Sequence, residues 1–205
     1  LRSHQFAGAA ETAGLFKSEM CHVSLPPMFE DISLDNGIRP NSSIEKLARL
    51  RPAFDKKHGT LTAANSSYLT DGAAASLIAL EEKALALGLT PKSRIVDYVF
   101  TGQNLDEELL LGPAYAISEV LKKTRLTIDQ IDVIEIHEAF AGQVLSNIKC
   151  LESDDFAKEK LGRDKAVGKI DFSKLNLWGG SLSIGHPFGA TGSRLLTTAS
   201  NRLNH

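Results

Sequence analysis

Cysteine is scarce in this chain: among 205 residues only Cys21 and Cys150 carry a thiol. Two cysteines build no disulfide framework, so a reducing compartment fits. Neither lies in a motif that would lower its pKa, and both read as ordinary free thiols. Long apolar runs are absent as well. The longest, Ala73 to Leu80, falls far short of the about 18 residues a membrane-crossing helix requires. There is no block of Lys and Arg and the net charge is −2, which argues against nucleic acid as a partner. The six histidines show no metal-ligand spacing, so no metal site is expected. His4, His22, His58 and His205 read as surface or loop residues. The first residue is Leu rather than Met, and no signal or transit pattern is visible. What remains is an ordinary globular composition, 42% hydrophobic and 23% charged, enough for one large domain or two small ones.

Strands and helices alternate along the chain, which argues an α/β fold. Residues 1 to about 35 read as loop, with Pro26-Pro27 and no long period. Ser42-Ser43-Ile44-Glu45 reads as a capping box, with Ile44, Leu47 and Leu50 on one helix face. Asp71 to Leu87 predicts a helix stopped by Gly88. Ile95 to Phe100 predicts a strand. Pro113 to Lys123 predicts a helix with Ile117, Val120 and Leu121 inward. A strand over 131–136 and a helix over 139–151 follow. Glu152 to Asp171 is charged and reads as a surface excursion, broken at Gly162 and Gly168. Leu175 to Trp178 reads as a short strand leading to Gly179-Gly180. There is no internal repeat and no low-complexity tract.

Three islands carry polar or chemically active residues. In Gly185-His186-Pro187-Phe188-Gly189-Ala190-Thr191-Gly192, Pro187 suits the first position of a helix. His186 would then sit at the positive end of the helix dipole, which disfavours imidazolium and leaves a neutral base. The glycines let a substrate or another backbone approach closely. The stretch is equally readable as a glycine-rich helix entry with a structural histidine. A phosphate-binding loop is excluded, because the spacing differs and no Lys follows the last glycine. In Glu135-Ile136-His137-Glu138-Ala139-Phe140, His137 and Glu138 fall where a strand gives way to a helix whose face is Phe140, Val144, Ile148 and Leu151. Such junctions hold the chemistry of α/β folds, although His137 and Glu138 could simply cap the helix and meet solvent. In the island Gly59 to Ala73, the short polar residues Asn65, Ser66, Ser67 and Thr70 could bind a ligand's amides, or form local turns and an N-cap at Asp71.

In this order the islands resemble the three consecutive signatures of the second half of a thiolase. The histidine at 137, where most of that family has Asn, together with Leu109 to Pro113 and Asn36 to Pro40, is similar to its mitochondrial long-chain 3-ketoacyl-CoA branch. The resemblance implies a layered α/β/α/β/α fold, here incomplete. Residues 1–60 would be the tail of the inserted loop domain and 61–92 the last strand and helix of the N-terminal half. Residues 93–205 would be the C-terminal half without its final strands. It implies an acyltransferase of fatty-acid β-oxidation that cleaves 3-ketoacyl-CoA with CoA, giving acetyl-CoA and a shortened acyl-CoA. His186 would be the base that activates a nucleophilic cysteine, and His137 part of an oxyanion hole. Ser67 would contact the pantetheine arm of CoA, and Phe188 and Gly189 would line the acyl cavity. Coenzyme A would be a co-substrate and no cofactor is implied. A homodimer or larger assembly, an α subunit carrying hydratase and dehydrogenase activities, a mitochondrial location and peripheral contact with the inner membrane are implied by the branch alone.

The two catalytic cysteines of that family have no counterpart here: one motif lies upstream of the loop domain, the other follows the helix after His186. The chain therefore reads as a fragment holding the base and oxyanion residues, inactive alone. The other readings are a non-catalytic protein that binds CoA esters and a purely structural thiolase-like subunit.

Overall fold

The computed structural model describes residues 1–205. In chain order its regular elements are α1 (Arg2–Thr12), β1 (Val23–Leu25), β2 (Glu30–Ile32), α2 (Ile44–Leu47), α3 (Glu81–Ala86), α4 (Leu105–Glu108), α5 (Gly112–Thr124), α6 (Ala141–Leu151), α7 (Asp154–Lys160), α8 (Ser181–Ile184) and α9 (Gly189–Leu203). β1 and β2 form an exposed antiparallel hairpin with Val23 opposite Ile32.

The main core lies between α5 and α6. Ala114 and Leu121 from α5 and Val144, Ile148 and Leu151 from α6 pack with Ile134, Ile136, Ile170 and Leu175. The 3.6-residue period of apolar positions turns one face of each helix to this core. Pro113 is tolerated in the first turn of α5, and Arg125 ends the helix in the left-handed region at φ 57°. Asn147 is fully buried at the interface of the two helices. Its amide donates to the carbonyls of Leu110 and Gln143, both at 2.9 Å, and its oxygen accepts from Ala114 N at 2.9 Å. The buried Asn147 amide is thereby paired at both its oxygen and its nitrogen. A second, smaller core joins Ala10, Phe16 and Trp178, with the Phe16 and Trp178 rings edge-to-face at 6.1 Å.

The two expected strands around 134 and 175 meet as a parallel bridge between Ile134 and Leu175. Ile134 N donates to Lys174 O and Asn176 N donates to Ile134 O. The Asn176 side chain then takes over from the backbone. Its oxygen accepts from Ile136 N at 2.8 Å and its amide donates to Ile136 O at 2.8 Å. A side-chain amide thus stands in for one more rung of the ladder.

Several sequence expectations need correction. Residues 2–12 are helical, not loop: α1 buries Ser3, His4, Ala7, Gly8 and Ala10. A stripe of small residues contributes little apolar signal, so the helix hides in the sequence. In the predicted helix 71–87 only Glu81–Ala86 is regular, although Gly88 does end it at φ +70°. Leu77, Ile78 and Leu80 are exposed there, and a helix without a packed face gains little from tertiary contact. The 71–93 segment instead runs beside α9 through hydroxyl pairs, Ser76 to Ser193 at 2.7 Å and Ser93 to Ser200 at 2.6 Å. The predicted strand 95–100 makes no ladder, and Ile95, Val96, Tyr98 and Phe100 are exposed. The cap of α2 is Ser43, which accepts from Lys46 N, and Ile44 and Leu50 stay exposed. The charged stretch 152–171 is not all surface: it contains α7, capped by Ser153, and buries Ala157 and Ile170 completely.

Candidate active site

The three islands come together although they are far apart in sequence. Ser66 bridges Phe140 in antiparallel fashion, Ser67 N donates to Ala139 O and Ala141 N donates to Asn65 O, both at 2.9 Å. Tyr68 hydroxyl donates to Ser183 O at 3.1 Å, and His186 N donates to Thr70 Oγ1 at 3.3 Å. Gly185 adopts φ +89°, and a Cβ there would lie 2.0 Å from Thr70 Oγ1. Only glycine accepts both the conformation and the contact.

His137 and His186 face each other with ring centroids 4.1 Å apart and planes tilted by 41°. Phe188 stands edge-on to His186 at 5.1 Å and is otherwise exposed. Gly189 has open space where a Cβ would be. His137 Nδ1 lies 2.9 Å from Ser181 Oγ, and His186 Nδ1 lies 2.7 Å from Thr191 Oγ1. Burial, the neighbouring His186 and the Arg194 guanidinium lower the His137 pKa to about 4. Burial and then Arg194 lower that of His186. Both rings are therefore neutral near pH 7, a state in which each offers one donor and one acceptor.

His186 stands apart from the helix it was expected to adjoin. α9 begins at Gly189 rather than Pro187, and Phe188 at its start has φ 27°. The neutral state of His186 comes from desolvation and then Arg194, and the first helical residue, Gly189, lies three positions further on. Asn65 and Ser66 are occupied in turns: Asn65 Oδ1 accepts from Thr62 N at 2.8 Å and Ser66 Oγ donates to Thr62 O at 2.8 Å. Asp71 caps no helix.

Glu138 is the clearest residue that sequence reasoning misplaced. It neither caps α6, whose first turn begins after Phe140, nor meets solvent. It is buried, with Oε2 accepting from Ser3 Oγ at 2.6 Å and Leu182 N at 3.3 Å, and Oε1 from Asn176 Nδ2 at 2.9 Å. Gly180 leaves it room, since a Cβ there would meet its carboxylate at 2.5 Å. The signal was present: Ile134, Ile136 and Glu138 alternate along one strand face, and the first two are core. Arg194 was also missed. It shares a face of α9 with the buried Thr191, Thr198 and Asn201 at helical spacing. His4, expected at the surface, is buried, and its Nδ1 accepts from Arg39 N. Below the site Arg202 pairs with Glu135, both side chains 4% exposed, and donates to the carbonyls of Ile134 and Lys174.

Neither thiol reaches the histidines. Cys21 is exposed beside the hairpin. Cys150 lies near the far end of α6, packed against the core, roughly 14 Å along the helix from Ala141. Burial, then Glu108, raises its pKa.

Two neutral imidazoles in contact at a strand-to-helix junction, with a buried cation behind them, define an acid–base site on an α/β scaffold. Residues 89–205 match the thiolase C-terminal domain and residues 1–82 the thiolase N-terminal domain. The chain belongs to the thiolase family. It is 52% identical over 203 residues to the mitochondrial trifunctional enzyme subunit beta of Bos taurus, covering 99% of this chain and 42% of that protein. It is 52% identical over 209 residues to a probable 3-ketoacyl-CoA thiolase of Caenorhabditis elegans, covering 99% and 45%. The crystal structure of the dimeric peroxisomal thiolase of Saccharomyces cerevisiae superposes with a TM-score of 0.80 at 37% identity, over 98% of this chain and 46% of that one. The fold is thus the α/β thiolase fold, and the chain spans less than half the length of the relatives it matches.

Proposed function

We propose that this chain supplies the base and oxyanion side of a 3-ketoacyl-CoA thiolase site in fatty-acid β-oxidation. The observation that carries the reading is the contact between two neutral imidazoles, His137 and His186, with the Ser67 backbone bonded beside them. His186 takes the proton of a nucleophilic thiol, which then attacks the ketone carbon of the substrate. His137 donates to the oxygen on which negative charge develops. Cleavage of the bond to the acetyl carbon leaves an enolate that the second cysteine of the family scheme would protonate, releasing acetyl-CoA, and a second CoA takes the shortened acyl group from the first thiol. Ser67 contacts the pantetheine arm, and Phe188 and Gly189 border the acyl chain beside His186. The open face at Gly189 is compatible with that role. Coenzyme A is a co-substrate, and no metal or prosthetic group enters the scheme.

The division into a loop-domain tail over 1–60, the end of an N-terminal half over 61–92 and a C-terminal half over 93–205 belongs to the same proposal. So do a homodimeric or larger assembly, an α-subunit partner and peripheral contact with the mitochondrial inner membrane. The names of the mitochondrial relatives support that location. One observation favours the second reading for the chain on its own: no thiol lies at the imidazole pair, so the 205 residues alone would bind CoA esters without cleaving them.

The test is thiolysis of a 3-ketoacyl-CoA by the protein purified from its source, with single substitutions made in the gene. His186→Ala is expected to lower kcat by about 10²–10⁴-fold, as loss of a general base does. His137→Ala is expected to lower it by about 10²–10³-fold, as loss of an oxyanion donor does. A native protein with no thiolysis at all would replace this reading with the CoA-ester-binding or structural one.

A further inference from the structure

A buried hydroxyl has one hydrogen to place, and Ser181 has a definite place for it. Ser181 is fully buried. Its oxygen lies 2.9 Å from His137 Nδ1 and 3.4 Å from Arg194 Nη2. A guanidinium only donates, so Arg194 takes a lone pair of the Ser181 oxygen. The hydroxyl hydrogen is then directed at His137 Nδ1, which accepts only when that nitrogen carries no proton. With Nδ1 protonated, the Ser181 oxygen would face two donors and its own hydrogen would be stranded in a buried place.

His186 differs. Its Nδ1 meets Thr191 Oγ1 at 2.7 Å, with no guanidinium on that oxygen. A lone hydroxyl can donate to the ring or accept from it. When His186 holds a proton on both nitrogens, Thr191 accepts from Nδ1. When the ring is neutral, the hydroxyl can turn. One imidazole is thus set in a single tautomer, while its neighbour is free to gain and lose protons.

We infer that Ser181 and Arg194 are positioning residues that hold His137 as the neutral Nε2–H tautomer, with its only ring donor on the nitrogen turned away from Ser181. The inference deepens the reading of His137 as an oxyanion donor and rests on it for its purpose. An oxyanion donor is useful only if its N–H faces the reacting oxygen before the reaction begins. Burial disfavours the Arg194 charge, and the nearby carboxylates of Glu135, Glu138, Glu19 and Asp35 oppose that effect and favour the charged form.

Long-range ¹H–¹⁵N correlation spectra of the ¹⁵N-labelled 205-residue chain at pH 7 test this, since the two nitrogens of each ring report its tautomer directly. Wild type is expected to show His137 as Nε2–H in roughly tenfold or greater excess, the ratio implied by leaving a buried hydroxyl unpaired. Ser181→Ala is expected to give a mixture of tautomers, and Ser181→Thr to restore the single form. Arg194→Gln, whose amide can accept as well as donate, is expected to weaken the preference. His137 protonated on Nδ1 in wild type, or unaltered by Ser181→Ala, overturns the inference. The wild-type spectrum decides even where a variant does not fold. A correct tautomer combined with unchanged thiolysis in His137→Ala would leave this inference standing and remove the oxyanion role.

Discussion

His137 is only half buried, yet its ring is kept neutral to a pH well below that of a free histidine, and this links local geometry to stability. In the unfolded chain the ring titrates near 6.5; in the folded chain it titrates at about 4. Above pH 6.5 both states are neutral and the ring contributes no pH dependence. As pH falls from 6.5 toward 4 the unfolded chain binds a proton that the folded chain does not, so stability falls in that window and levels off below it. Full linkage would be worth about 3 kcal/mol, and solvent screening of a half-exposed ring reduces this to about 1 kcal/mol. Urea denaturation at pH 7 and pH 4.5, comparing wild type with His137→Gln, checks the sign: the variant loses less stability on acidification. The histidines themselves were legible in the sequence, because each lies in a short distinctive island. Their immediate supports were less so. Ser181 reaches His137 only because the Gly179-Gly180 turn aims it there, and no local pattern announces such a contact.

Among elements, the parallel contact between the 134 and 175 segments bears most on the site. Its last rung is the Asn176 side chain, which satisfies both backbone groups of Ile136 and also donates to Glu138. Asn176→Ala removes three hydrogen bonds and strands two buried backbone groups. It is expected to destabilise the chain by about 3 kcal/mol, and Asn176→Asp is expected to rescue it poorly, since a carboxylate cannot donate to Ile136 O or Glu138. Thermal unfolding of the two variants against wild type measures this. The helices α5 and α6 were readable because their apolar residues recur at helical spacing over three turns. The helix α1 was not, because it packs through Ser3, Ala7 and Ala10, residues that hydrophobic periodicity does not register. Residues 71–100 were over-read for the opposite reason. Their composition favours helix and strand, but exposed Leu77, Ile78, Val96 and Phe100 find no surface to pack on.

For the whole molecule, the decisive property is a pair of neutral imidazoles without a thiol beside it. Groups that act as a unit lose nearly all their effect when one member is missing. The purified 205-residue chain is therefore expected to show no CoA-dependent cleavage of a 3-ketoacyl-CoA, measured as loss of the substrate's absorbance. Measurable turnover would require Cys21, Cys150 or a thiol-free route to act as nucleophile and would overturn the division of labour proposed above. The family was legible from three islands in a fixed order, whereas their convergence was not, since no local pattern says that residue 67 will meet residue 139.

The Glu138 carboxylate also governs the order in which the molecule can assemble. It collects both Ser3 and Leu182, and Ser3 further meets Ser183 at 2.9 Å. The two Ser3 contacts close loops of 135 and 180 residues, whose ends must find each other by diffusion before any local reward is received. On refolding, α5 and α6 can form early from near neighbours in sequence. The histidine pocket has to wait for Ser3 to reach Glu138 and Ser183, so its ring resonances should return later than the helical circular dichroism.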